Sequence, residues 1–150
     1  MAYEPNTPTE EDRSRAYSLV WAGFAGTIVT IGARLLEIEN IAVSIAFGLA
    51  IGGYLNSVFH RRNDDYFNQL CASGHRFAAT FLCVYLFGMF IAELYDVSYS
   101  LGRAITDGGE SQREVSGIFG HFSDGPLLAM VAMLTFYVGY TVAYFRGAQS

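Results

Sequence analysis

Nine arginines and fourteen carboxylates carry all the permanent charge of this 150-residue chain, and few stand where chemistry would need them. Arg34 and Glu93 each lie near the end of a long apolar run, and Asp96 follows Glu93 by about one helical turn. A charge at membrane depth is costly unless it is paired or hydrated. Arg34 and Glu93 are therefore expected to form an ion pair that ties two helices together. The functional alternative is that Glu93, with Asp96, binds a proton or a cation. The three histidines, His60, His75 and His121, all flank apolar runs rather than sitting inside them. Haem held between spans needs opposed mid-membrane ligands, so that cofactor is not expected. His60 and His75 share one side, but two ligands with neither a nearby thiolate nor a defined carboxylate make a weak zinc site. Cys71 and Cys83 form no CxxC and have no histidine at metal spacing. They read as inert thiols that behave as small hydrophobes.

Two patterns invite an enzymatic reading. His60 and Asp65 stand at the H-x4-D spacing of glycerolipid acyltransferases, a motif that works within a sizeable catalytic domain which the remaining residues do not supply. His121, Ser123 and Asp124 cluster before the last apolar run, where they are more economically an N-cap. Neither an oxyanion hole nor a pocket is evident. No catalytic residue, metal ligand or cofactor is assigned.

These residues are positioned by four apolar stretches, about 17–36, 41–59, 77–95 and 125–145. A helix of about 20 residues rises about 30 Å, the thickness of a bilayer's hydrocarbon core. Amphipathic helices of a soluble bundle would carry a polar face, which these runs lack. The expected fold is all-α, a four-helix transmembrane bundle over 16–146. Residues 1–15 are expected to form a disordered cytoplasmic tail, and the acidic start MAYEPNTPTEEDRSR does not resemble a signal peptide. Asn40 is a good cap for the second helix. The stretch from Asn63 is expected to extend the third span inward until Gly74 interrupts it. The long connection 97–122 is expected to be an outer loop, with Ser111 and Glu114 opening a short amphipathic helix.

Orientation follows the arginines. With four spans, one side holds Arg13, Arg15, Arg61, Arg62, Arg76 and Arg146, and the other holds Arg34, Arg103 and Arg113. The richer side is assigned to the cytoplasm, which places both termini inside. Arg61 and Arg62 would anchor the inner leaflet, and Asp64 and Asp65 would cap the helix that follows. Small residues at four-residue spacing, Gly48–Gly52, Ala22–Gly26 and Gly139–Ala143, let helix backbones approach closely. They are expected mainly to pack inside the monomer, a dimer face being the alternative. Tyr137, Tyr140 and Tyr144 share one face of the fourth helix.

The expected role is that of a non-catalytic accessory, scaffold or regulatory subunit, multi-pass in a bacterial inner membrane. Its partners would be the bilayer and either a membrane protein or a second copy. The competing reading is a small dimeric transporter or channel, which would need a polar path through the midplane. The net charge of −5, with no basic stripe, argues against nucleic-acid binding.

Overall fold

The computed structural model describes residues 9–59, 64–107 and 125–147, and these are almost wholly helical with no strand among them. Four helices follow in order: α1 (Glu10–Leu35), α2 (Ile41–Phe59), α3 (Asp65–Asp107) and α4 (Gly125–Gly147). Each is long and apolar enough to cross a membrane.

The start of α1 corrects the expected tail, because residues 10–15 are its first turns. Thr9 and Asp12 form a reciprocal capping box, in which the Thr9 hydroxyl accepts the Asp12 N–H and the Asp12 carboxylate accepts the Thr9 N–H, both at 3.2 Å. Glu10, Glu11 and Asp12 complement the positive end of the helix dipole. An Arg15–Glu11 ion pair one turn along adds to this exposed start.

At its other end α1 closes in a Schellman-type turn. The Ile38 N–H donates to the Ala33 carbonyl at 2.9 Å and the Glu37 N–H to the Arg34 carbonyl at 3.3 Å. Glu37 takes the left-handed position, with φ of 54°, where glycine is usual. Asn40 then caps α2, its side-chain oxygen accepting the Val43 N–H at 3.0 Å. The two helices are thereby folded back as a tight antiparallel hairpin.

Helix α3 departs most from expectation. It runs unbroken for 43 residues, about 65 Å, through Gly74 and through 97–107 of the expected loop. Asp64 opens it by accepting the Phe67 N–H at 2.8 Å. Gly74 does not end it, since an interior glycine costs only about 1 kcal/mol. A Cβ there would stand 2.7 Å from the Phe136 ring, so the glycine makes room for α4.

Helix α1 packs chiefly on α2, α3 on α4, and α4 against α1; α2 and α3 barely touch. The molecule is thus two helical hairpins joined through α1 and α4. The core where they meet is aromatic, with Phe67, Phe136, Tyr137 and Tyr140 buried beside Ala16, Val20, Leu70, Cys71 and Ala78. In the first hairpin the helices approach closely at Gly23 and Gly53, where a Cβ on either would lie within about 3 Å of the other's Cα, and at Gly26, where a Cβ would collide with the Ala46 carbonyl. In the second, Gly139 sits against Phe77 and Gly147 against Tyr66.

Candidate functional site

The seam between the hairpins is built around Tyr137. Its hydroxyl donates to the Ala50 carbonyl at 2.8 Å, and the residue is completely buried. The hydroxyl occupies the notch left by Gly23 and Gly53, which a Cβ at either position would fill. One side chain of α4 thus bridges α1 and α2 where two glycines let those helices approach. Phe24 lies tilted against the same ring, with centroids 5.8 Å apart.

Around this level the polar groups of α1 turn inward on their own helix. Thr27 and Thr30 donate to the carbonyls of Gly23 and Gly26 at 2.9 and 2.7 Å. Tyr140 lies one turn along α4 from Tyr137, packed edge-on to Trp21 and Phe67. Its buried hydroxyl meets no hydrogen-bonding group among the described residues. Towards α3, Ser57 and His75 stand 3.3 Å apart, with Tyr54 and Phe136 packed on the imidazole. This cluster joins α2, α3 and α4, with aromatic rings packed on the imidazole and the Ser57 hydroxyl as its polar neighbour among the described residues.

At one end of the bundle, the α1–α2 turn and the start of α4 enclose an open cleft of about 1050 Å³. Arg34, Glu37, Glu39, Asn40 and Ser44 supply its polar wall, while Phe47, Pro126 and Met130 supply apolar surface. Both signs of charge are present. The floor is reached at Thr30 and Met130, above the buried Tyr137 level.

Helix α3 provides the least expected feature. Gly74 meets Phe136, Ser73 donates to the Gly139 carbonyl at 3.4 Å, and Tyr137 meets Gly23, Gly53 and Ala50. These contacts put residues 73–77 of α3 level with the midpoints of α1, α2 and α4. The apolar run expected at 77–95 is therefore displaced by about half its length toward the end that holds the α1–α2 turn. Arg76 stands at mid-height of the bundle, about 17 Å along α3 from Asp65. It belongs to an exposed stripe with Gln69, Ala72 and Thr80, opposite the face that buries Phe67, Leu70, Gly74 and Ala78. Farther out, Phe87, Phe90, Leu94 and Tyr95 are exposed, Tyr95 at 75%. The last 20 residues of α3 project about 30 Å past the first residue of α4.

The stagger accounts for the fate of the expected ion pair. Glu93 lies exposed on the projecting part of α3, about 10 Å beyond the level of Arg34. No ion pair joins them among the described residues. The side chain of Asp96 is outside the described residues, as are Arg61, Arg62, His60 and His121. Asp64 caps α3, and its carboxylate also accepts the Tyr17 hydroxyl at 3.4 Å; Asp65 lies in the first turn. Gly26 and Gly139 pack inside the monomer, the first against Ala46 and Ala50 and the second against Phe77. Gly48 and Gly52 do not, as nothing lies within 4 Å of a Cβ at either. The expectation of internal packing is corrected there, because α2 turns its Gly53 face to α1.

Sequence reasoning missed the pairing of Gly23 with Gly53 and the height of Arg76. The adjacent glycines 52 and 53 define two different helix faces, and only the partner helix decides which is buried. Arg76 borders an apolar run and so reads as interfacial unless α3's packing partner is known. No protein-family model, curated protein or solved structure matches the chain.

Proposed function

We propose that this chain is a multi-pass protein of a bacterial inner membrane, with both termini in the cytoplasm, that serves as a non-catalytic accessory or scaffold subunit. Four apolar helices supply the spans. Arg13, Arg15 and Arg146 gather at the end shared by the start of α1 and the end of α4, where Gly147 meets Tyr66 and Tyr17 meets Asp64. The positive-inside preference assigns that end to the cytoplasm.

The observation that carries the subunit reading is α3. It is packed along one face of its inner half, it presents a polar stripe outward at mid-height, and its apolar outer part runs past the other helices. A helix with those three properties is incomplete by itself and fits a larger assembly. The competing reading, a small transporter or channel, requires a polar path at mid-height. Phe136, Tyr137 and Tyr140 fill that level in a single copy, so a path could form only between copies.

Affinity purification in a mild detergent tests the proposal. A second polypeptide in fixed ratio supports it. A pure homo-oligomer that carries ion flux in liposomes, lost on Glu93→Gln, would replace it with the transporter reading.

A further inference from the structure

Arg76 is the only arginine that the described helices hold at mid-height, and it is exposed, whereas the neighbouring His75 is packed against Tyr54 and Phe136. It makes no ion pair with any described residue. In water this would be an ordinary exposed arginine. In the membrane placement proposed above it is a cation about 15 Å from either face of the hydrocarbon core. A charge at that depth needs a counter-charge or water, and the cost of leaving it bare is several kcal/mol.

The described helices do not provide the counter-charge at this level. Neither α2 nor α4 contains an acidic residue, α1 contains none beyond Asp12, and α3 contains none between Asp65 and Glu93. A second copy would have the same heights, because two copies sharing one membrane orientation are related by an axis along the membrane normal. Arg76 would then face Arg76, Gln69 and Thr80 of the other copy, never a carboxylate. Lipid phosphate is also out of reach. The side chain leans toward the N-terminal, inner end of α3, yet it spans only about half of the distance to the inner interface. The neighbour that fits is a membrane helix of a different protein.

We infer that the Arg76 face of α3 docks a transmembrane helix of another protein that carries an aspartate or glutamate near the middle of its span. Ala72, one turn inward, leaves space for that helix to approach, and Gln69 below it supplies an amide that both donates and accepts. The guanidinium forms two parallel hydrogen bonds with a carboxylate, a geometry that lysine does not reproduce. The inference rests on the membrane-subunit reading and specifies the partner's chemistry.

The test uses the purified full chain in zwitterionic phosphatidylcholine vesicles with synthetic polyleucine helices that carry Asp, Asn or Ala at the central position. Association is read by energy transfer between labels. The expected result is binding of the Asp helix at least about tenfold tighter than the Asn helix, about 1.4 kcal/mol. Arg76→Gln should bring that ratio to about one, and Arg76→Lys should leave an intermediate ratio. An equal affinity for the Asp and Asn helices, or a preference that survives Arg76→Gln, overturns the inference. So does a loss of the Asp preference when phosphatidylglycerol is added to the vesicles, which would assign Arg76 to lipid. Circular dichroism and the thermal midpoint of Arg76→Gln confirm that the bundle persists. The assay needs no native partner, so its failure is separable from that of the subunit reading: a native partner that still co-purifies in fixed ratio would leave that reading standing while this one falls.

Discussion

At the scale of single residues, the fold turns on what fills the space beside glycines. Gly53 accepts no side chain, because a Cβ there would lie 2.7 Å from the Leu19 carbonyl and 2.9 Å from the Gly23 Cα, both backbone atoms that cannot rotate away. Gly53→Ala should therefore cost about 1–3 kcal/mol, the range for forced overpacking. Gly48→Ala and Gly52→Ala meet open space and should be neutral or slightly stabilising, since alanine is the better helix former. Tyr137→Phe keeps the ring but removes the hydrogen bond to Ala50, at about 1 kcal/mol. Denaturant titration of the four variants in detergent micelles checks the ranking. Equal losses at Gly48 and Gly53 would mean that α2 presents a different face to α1.

At the scale of elements, the caps of α2 and α3 were legible in the sequence, whereas the start of α1 and the stagger of α3 were not. Asn40 and Asp64 announce their helices through side chains that act within a few residues, so local sequence suffices. The GxxxG of α2 announces a close-packing surface without saying which neighbour it meets. The length of α3 was concealed because hydropathy marks only its apolar middle, while the polar turns at either end continue the same hydrogen-bonded ladder. Two consequences are measurable. Glu37 holds a left-handed conformation that costs a side-chain-bearing residue about 1–2 kcal/mol. Glu37→Gly should relieve part of this and raise the thermal unfolding midpoint, and a lowered midpoint would mean that the carboxylate outweighs the strain. Arg34 and Glu93 lie at different heights, so Arg34→Glu and Glu93→Arg should have additive effects, within about 0.5 kcal/mol, in a double-mutant cycle. A clear rescue in the double variant would restore the ion pair and place α3 about 10 Å farther inward than described.

At the scale of the whole molecule, three helices agree on where a bilayer would lie and the fourth does not. The spans of α1, α2 and α4 share midpoints near Gly26, Ala50 and Phe136–Tyr137, with Ala50 in contact with both of the others. The apolar run of α3 starts at that midpoint rather than being centred on it. A free-standing bundle would have to bring Arg76 into lipid and the ring surfaces of Phe87, Phe90 and Tyr95 into water at the same time. A partner seated along α3 would relieve both, which is the physical basis for reading the chain as a subunit. Size alone is consistent with this, since four spans without a closed fourth side leave one helix face for assembly.

The central claim is tested most directly by the native mass of the tagged chain, extracted from its own membrane in mild detergent or as a polymer-bounded disc. A subunit should appear as a complex containing this 16.5 kDa chain and at least one different membrane polypeptide in a constant ratio. That complex should be lost or weakened by Arg76→Gln while the isolated chain stays folded. A mass equal to the chain alone, or to a whole-number multiple of it, would show that the chain is not a subunit of a larger assembly.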